Sequence, residues 1–291
     1  MPTQESWIEI DGHNVRYLRA GGGPPLVLVH GLAGGSFCWR FNIPALAEHY
    51  TIYAVDLPGN GLSDAPANTD CGMQPQAERL NEFLEKLRLE EVNVAGSSFG
   101  GGIAMFLAAR HKSRLRSLVL AAPVNPWSAL GRRRIALLNT ALGGYLLRLA
   151  MPLSRPVHRI AINRLYGDPR RIRAGTVESY GRLLQMPGRV ANVLSMLKNW
   201  QRDMQELEAI IPQIELPTLL VWGTRDGAVD LRSATILKQH LSKAELITLP
   251  EIGHIPPEEV PEEFNHMVME FVSHPERHDL LSGTDRTQQR L

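Results

Sequence analysis

The stretch VNVAGSSFGGG, residues 92–102, predicts the fold of this chain. It begins as a short buried strand, runs into glycines and continues into an apolar helix predicted for Ile103–Arg110. Residues 96–100 form the pattern G-x-S-x-G, with Ser98 at its centre. The pattern alone is weak, but at a strand-to-helix junction it predicts a sharp turn that presents the Ser98 hydroxyl as a nucleophile.

Further stretches have the apolar, partly β-branched character of buried strands. They are LVLVHG (26–31), IYAV (52–55), SLVLAAP (117–123), TLLVWGTRD (218–226) and ELITLP (245–250). Helical patterns such as residues 76–86 and 231–241 lie between them, and this alternation predicts a mostly parallel, doubly wound α/β sheet. The leading residues 7–21 predict an antiparallel hairpin at the sheet edge, turning at Asp11-Gly12.

The alternation of strands and helices ends after Pro123. Residues 124–213 contain only helical patterns and carry thirteen Arg and one Lys against five Asp and Glu, a net charge of +9. The remainder has seventeen basic and twenty-five acidic residues, a net charge of −8. This asymmetry predicts a helical cap at residues 124–213, inserted into a catalytic domain of residues 1–123 and 214–275. Residues 276–291 are predicted to be a polar tail.

Composition excludes several classes of protein. The 291 residues include 31 Lys and Arg against 30 Asp and Glu, which argues against a nucleic-acid-binding protein. Hydrophobic content of 44% with 21% charged residues is typical of a soluble globular enzyme. Only Cys38 and Cys71 are present, and no H-E-x-x-H motif occurs, so we expect no metal and no other cofactor. The N-terminus lacks a signal-peptide pattern, and we expect a cytoplasmic chain.

A serine hydroxyl needs a neighbouring base to become a nucleophile. His254 is the best candidate, because it follows the last predicted strand, on the loop before the final helix. An acid that orients the histidine should also lie at the end of a strand, and Asp226 closes the strand at 218–226. Asp230 competes for this role, but capping of the following helix explains it better.

Taken together, these motifs resemble the α/β-hydrolase superfamily, specifically its capped, serine esterase-like branch. The matching motifs are HG (30–31), DLPGNGLSD (56–64), GSSFGG (96–101), WGTRD (222–226) and GH (253–254). The resemblance implies that Ser98 attacks a carbonyl, His254 relays the proton and Asp226 holds the imidazole in its tautomer. It also implies an oxyanion hole formed by the backbone N–H groups of Leu32 and Phe99. His30 is expected to anchor the loop that carries Leu32.

We therefore predict a serine hydrolase that cleaves small-molecule carboxylic esters with a fairly apolar acyl or alcohol part. A carbon–carbon bond hydrolase acting on a vinylogous diketone remains an alternative, since such enzymes share the serine. A non-catalytic binding protein on the same fold is a third alternative, although it would not need Ser98, Asp226 and His254 together. The sequence does not indicate the oligomeric state.

The predicted cap has two interpretations. Apolar residues recur there at helical spacing, namely Ile135, Leu138, Leu142, Leu146 and Leu149. The simpler expectation is a lid helix packed on the catalytic domain. Alternatively, this surface, preceded by Arg132, Arg133 and Arg134, makes peripheral contact with anionic lipid and admits acyl chains.

Overall fold

The computed structural model describes residues 2–66, 68–130, 132–150 and 155–275, without the side chains of residues 132–134. The strands of this part of the chain are β1 Gln4–Ile10, β2 His13–Ala20, β3 Pro25–Val29, β4 Thr51–Val55, β5 Val92–Ser97, β6 Leu115–Ala121, β7 Thr218–Gly223 and β8 Ala244–Leu249. Its α-helices are α1 Ile43–Leu46, α2 Met73–Lys86, α3 Phe99–Arg110, α4 Arg132–Leu138, α5 Ala141–Ala150, α6 Arg155–Asn163, α7 Thr176–Gln185, α8 Arg189–Ile210, α9 Leu231–His240, α10 Pro256–Glu259 and α11 Pro261–Ser273. The predicted tail, residues 276–291, lies outside the described residues.

The eight strands form one sheet in the order β1-β2-β4-β3-β5-β6-β7-β8. Neighbouring strands from β4 to β8 pair in parallel, while β2 pairs antiparallel with both β1 and β4. Asp11 and Gly12 connect β1 to β2 with φ angles of 50° and 72°, the positive values that a two-residue hairpin turn requires. The predicted mostly parallel, doubly wound sheet with an antiparallel edge hairpin is confirmed.

Alternate residues of each central strand enter different apolar layers, as the period of a β-strand requires. In β3, Leu26 and Leu28 pack with residues of α1 and α11 on one face of the sheet. Val27 and Val29 pack with residues of α2 and α3 on the other face. Because both faces are covered by helices, β3 is buried along its length and can carry apolar residues at every position.

Between β6 and β7 the described residues form helices and short turns but no strand. The longest of these helices, α8, places Met196 and Leu207 in the same apolar layer as α3. The predicted cap is therefore attached to the sheet by a packed helix as well as by the chain itself. The division of the chain into a catalytic domain and a cap stays a prediction.

The expected lid helix is present as two helices, of which α4 faces the rest of the molecule with its apolar residues and α5 does so only in part. The helix is interrupted after Leu138, and Thr140 starts α5 by accepting the Gly143 N–H with its hydroxyl at 3.0 Å. Ile135 and Leu138 are half-buried and face a cavity. In α5 the residues of the predicted stripe point away from the molecule: Leu142, Leu146 and Leu149 are all exposed.

Candidate active site

Ser98 occupies the turn between β5 and α3 in a rarely populated backbone conformation, with φ +52° and ψ −113°. Its N–H donates a hydrogen bond to the Ala121 carbonyl of the neighbouring strand at 2.9 Å. The turn needs glycine on both sides. A Cβ on Gly96 would lie 2.5 Å from the Gly100 carbonyl oxygen, and one on Gly100 would lie 2.4 Å from the Val29 carbonyl oxygen. The sharp turn expected at G-x-S-x-G is therefore present.

The structure brings Ser98, His254 and Asp226 together, although they lie on three separate loops. His254 Nε2 lies 2.8 Å from Ser98 Oγ, and His254 Nδ1 lies 2.8 Å from Asp226 Oδ2. The other carboxylate oxygen of Asp226 accepts the N–H groups of Ala228 and Val229 at 2.8 and 2.9 Å. Since that oxygen is occupied by backbone donors, the carboxylate is fixed with Oδ2 toward the imidazole. Such an arrangement can pass a proton from the serine to the histidine.

Asp230, the competing acid, has a different role in the structure. Its side chain begins α9 by accepting the Arg232 N–H at 3.0 Å, and it forms an ion pair with the Arg232 guanidinium at 2.8 Å. These hydrogen bonds to Arg232 lower the pKa of Asp230. The expected helix cap is therefore what the structure contains.

The loop after β3 lies directly against Ser98. A Cβ on Gly31 would be 3.4 Å from Ser98 Cβ, and Leu32 and Phe99 line the same cavity as Ser98. His30 is buried beneath this loop, where its Nε2 accepts the Leu57 N–H at 3.3 Å and its Nδ1 donates to the Gly31 carbonyl at 2.9 Å. Burial lowers the pKa of His30, which is consistent with a neutral ring that donates once and accepts once.

The loop at residues 56–64 is attached to the same region through Asp56. The buried carboxylate accepts the N–H groups of Ser36 and Leu62 at 2.5 and 2.9 Å and pairs with Arg16 at 3.0 Å. A Cβ on Gly61, whose φ is +52°, would lie 2.1 Å from the Asp56 carboxyl carbon. Asp56 therefore joins the loop at residues 56–64 to the loop after β3, which lines the cavity, and its role is one of support.

Ser98 and His254 open into a cavity of about 350 Å³ with mostly apolar walls. The apolar lining comes from both the sheet side and the predicted cap, and includes Val124, Leu130, Ile135, Leu138, Leu165, Leu197, Trp200, Met204, Val229 and Ile255. Among the lining residues that the structure describes, Glu258 is the only carboxylate, and none is Arg or Lys. The cavity is thus suited to an apolar, uncharged group next to the reactive hydroxyl.

Glu258 is a wall residue that sequence reasoning missed. Its carboxylate pairs with Arg40 at 2.7 Å and accepts a hydrogen bond from the Tyr180 hydroxyl, and Arg40 also donates to the Thr176 hydroxyl at 2.8 Å. Burial raises the pKa of Glu258, opposed chiefly by the charge of Arg40. Since Thr176 and Tyr180 belong to α7, this cluster connects the predicted cap to the sheet side of the cavity.

Glu259 was missed as well, and it supports the loop that carries His254. Its carboxylate accepts the N–H groups of Gly253, Gly167 and Asp168 at 2.8, 3.0 and 3.1 Å. The His254 N–H donates in turn to the Leu165 carbonyl at 2.6 Å. The histidine loop is therefore hydrogen-bonded to the predicted cap through the His254 N–H itself and through Glu259. An acidic pair following GH was visible in the sequence, but its partners lie too far away to be inferred.

No group of three or more His, Cys, Asp or Glu among the described residues could hold a metal ion. Cys38 and Cys71 are buried and not disulfide-bonded to each other. Within the same part of the chain, no helix is both long and apolar enough to span a bilayer.

The chain belongs to the α/β hydrolase fold family, whose model matches residues 24–261. It is 28% identical to a pimeloyl-[acyl-carrier protein] methyl ester esterase of Nitrosomonas europaea, over 84% of this chain and 94% of the relative. It is also 28% identical to a 2-hydroxymuconate semialdehyde hydrolase of a Pseudomonas species, over 87% of this chain and 88% of the relative. Among solved structures, a bacterial membrane phospholipase A is similar with a TM-score of 0.78 at 25% identity, covering 94% of this chain and 87% of that one. The family model and these relatives support a hydrolase of the α/β fold.

Proposed function

We propose that this protein is a serine hydrolase that cleaves carboxylic esters of small, fairly apolar molecules through an acyl-enzyme intermediate. The observation that carries the proposal is the hydrogen-bonded series from Asp226 through His254 to Ser98, which ends at an apolar cavity. The relatives include an esterase and a phospholipase A, which is consistent with ester chemistry.

In the proposed reaction, Ser98 Oγ attacks the carbonyl carbon while His254 Nε2 accepts the serine proton. The N–H groups of Leu32 and Phe99 stabilise the negative oxygen of the tetrahedral intermediate. His254 then gives its proton to the departing alcohol, and the acyl group remains on Ser98. A water molecule, deprotonated by His254, attacks the acyl-enzyme, so the carboxylic acid leaves and the serine regains its proton. Asp226 keeps the imidazole oriented throughout.

The charge of the cavity wall favours an ester over the substrate of a carbon–carbon bond hydrolase. A muconate semialdehyde carries a carboxylate, and binding it requires a positive or strongly donating partner. The lining residues described in the structure include no Arg or Lys, while Glu258 contributes a carboxylate to the wall. Arg40 is already paired with Glu258 and does not line the cavity, and a neutral ester needs no such partner. The carbon–carbon bond reaction remains the second candidate because one relative is such a hydrolase by name.

A fluorophosphonate probe and a series of p-nitrophenyl esters test the proposal. We expect the probe to label the wild type and not Ser98→Ala, because the probe reacts only with an activated serine. Ester turnover should fall by several orders of magnitude, up to about 10⁶-fold, in Ser98→Ala and in His254→Ala, since nucleophile and base act as a unit. A non-catalytic binding protein would show neither labelling nor turnover.

Asp226→Asn and Asp230→Asn form a matched pair for the acid. Both replace one carboxylate oxygen by an amide nitrogen, and Asn is as good a helix cap as Asp at position 230. We expect Asp226→Asn to lose orders of magnitude in kcat, and Asp230→Asn to stay near the wild type. The opposite result would overturn the assignment of the acid. Cleavage of a vinylogous diketone without ester turnover would replace the proposal by its alternative.

A further inference from the structure

Helix α5 presents an apolar stripe to solvent. Its members lie at positions i, i+3, i+4 and i+7, and their exposed fractions are 68% for Leu142, 60% for Tyr145, 54% for Leu146 and 46% for Leu149. An apolar stripe at this spacing normally packs against a protein core. Here the opposite side of the helix faces the molecule: Gly144 and Leu147 are half-buried, and a Cβ on Gly144 would lie 3.7 Å from a methyl carbon of Leu194 in α8.

Helix α4 packs against α5 and extends the same apolar character, since Leu137 is 66% exposed. We call the set of Leu137, Leu142, Tyr145, Leu146 and Leu149 the outer face. Single exposed apolar residues are ordinary on protein surfaces, but five large ones on two packed helices form a patch of the kind that marks an interaction site.

The segment that carries the outer face has charges of one sign. Residues 124–167 contain seven Arg and neither Lys, Asp nor Glu. Four of these arginines have described and exposed side chains, namely Arg148, Arg155, Arg159 and Arg164. One described carboxylate interacts with them: Glu178 forms an ion pair with Arg155, and the charge of Arg159 also contributes to the lowered pKa of Glu178. The positive charge is therefore largely available to an external partner.

We propose that the outer face docks on the surface of an anionic lipid bilayer. Exposed leucines and a tyrosine beside arginines, with no carboxylate in the segment, match the composition of helices that lie in the headgroup region of such membranes. The arginines complement the negative surface potential of the leaflet. A second copy of the chain is a poorer occupant, because self-association would bring two strongly positive segments together.

The outer face is adjacent to the cavity. Ile135 and Leu138 of α4 line the cavity, whereas Leu137 of the same helix belongs to the outer face. Leu130, which precedes α4, lines the cavity and is also 41% exposed. Helix α4 thus separates the cavity from the proposed membrane surface. Resting on the proposed ester hydrolysis, this placement points to amphiphilic esters taken from the bilayer as the substrate class.

Vesicle flotation of the full chain tests the docking directly. Vesicles of phosphatidylcholine alone are compared with vesicles in which about one third of the lipid is phosphatidylglycerol. Both are tested at about 50 mM and about 500 mM NaCl. We expect binding to the anionic vesicles at low salt that weakens at high salt. The same flotation is carried out with Ser98→Ala, because vesicle binding does not require hydrolysis. Failure of the hydrolase proposal therefore cannot be mistaken for failure of the docking.

Two variants and two controls assign the binding to the outer face. Arg148→Gln/Arg159→Gln should weaken partitioning by about fivefold for each arginine. Leu142→Ser/Leu146→Ser/Leu149→Ser should weaken it on the order of tenfold or more. The matched controls are Lys238→Gln/Lys243→Gln for charge and Trp7→Ser for apolar exposure, all at exposed positions outside residues 124–213. The controls should bind as the wild type does, and turnover of a short soluble ester should be unchanged in every variant.

Three results would overturn the proposal. The first is the absence of flotation with anionic vesicles at low salt. The second is flotation that the outer-face variants leave unchanged. The third is a dimer, detected by light scattering, that dissociates in the triple serine variant, because the outer face would then be occupied by a second copy.

Discussion

Ser98 shows how one residue can be held in an unfavourable conformation by its surroundings. A positive φ on a serine costs on the order of 1–3 kcal/mol, and it persists only where the surrounding structure enforces it. The enforcement comes from β5 and α3 on either side and from the hydrogen bond between the Ser98 N–H and Ala121. The strain places the hydroxyl within reach of His254.

The ion pair of Arg40 with Glu258 leads to a prediction about stability and pH. Arg40→Met should lower the free energy of unfolding by about 3 kcal/mol at pH 8, because a buried carboxylate loses its cation. Burial already raises the pKa of Glu258, and loss of Arg40 raises it further. An acid with a raised pKa contributes stability below its unfolded pKa and loses it as the pH rises through the folded pKa. The loss of unfolding free energy in Arg40→Met should therefore be smaller at pH 5 than at pH 8.

Urea unfolding at pH 5 and pH 8 measures this effect. Arg40→Met/Glu258→Gln serves as the control, because a neutral amide removes the uncompensated charge and with it the pH dependence. If Arg40→Met lost the same unfolding free energy at both pH values, the result would contradict the assignment of the charge to Glu258.

At the scale of elements, the close packing of α3 on β3 depends on Gly100. A Cβ at this position would lie 2.4 Å from the carbonyl oxygens of both Val29 and His30, and backbone atoms in a central strand cannot move aside cheaply. The sheet and the helix are thus brought together by the same glycine that shapes the turn at Ser98.

We predict that Gly100→Ala lowers the unfolding free energy by at least about 3 kcal/mol or prevents folding, through overpacking. Gly22→Ala is the matched control, since a Cβ there meets nothing within 4 Å, and it should stay within about 0.5 kcal/mol of the wild type. Thermal unfolding followed by circular dichroism distinguishes the two. Equal melting temperatures would show that the helix can shift away from the strand.

At the scale of the molecule, the arginines of the predicted cap fall into two groups with different partners. Arginines of its later part pair with carboxylates near the His254 loop, as Arg171 does with Glu259 at 3.6 Å and Arg173 with Glu262 at 3.1 Å. These pairs join a segment of net charge +9 to the remainder of the chain, whose net charge is −8. The arginines of α5 and α6 lie before this region, and they are the ones assigned to lipid in the docking proposal.

The proposed reaction also predicts the response of the whole protein to chelators. Every step is assigned to Ser98, His254, Asp226 and backbone N–H groups, so ester turnover should be unchanged after incubation with EDTA. The initial rate of ester hydrolysis is measured with and without the chelator. Adding metal back to the chelated sample is the control. Turnover that disappears in EDTA and returns with added metal would contradict the serine mechanism as written.

Sequence by itself determined the sheet, the hairpin at Asp11-Gly12 and the turn at Ser98. These features depend on short-range patterns, because apolar runs bounded by glycines select strands and tight turns wherever they occur. The placement of Ser98, Asp226 and His254 after β5, β7 and β8 also followed, since parallel strands bring their carboxyl ends to one edge. Asp226 and Asp230 are only four residues apart, and helix capping by Asp230 was a local signal that distinguished it from the carboxylate that lies against His254.

Only the tertiary structure decided the direction of α5 and the partners of Glu258. Helical spacing shows that Leu142, Leu146 and Leu149 share a face, but it does not say whether that face meets a core or solvent. Glu258 meets Arg40 and Tyr180 across 218 and 78 residues of sequence. No local pattern encodes such contacts, because they exist only once segments far apart in the sequence have packed together at the carboxyl edge of the sheet.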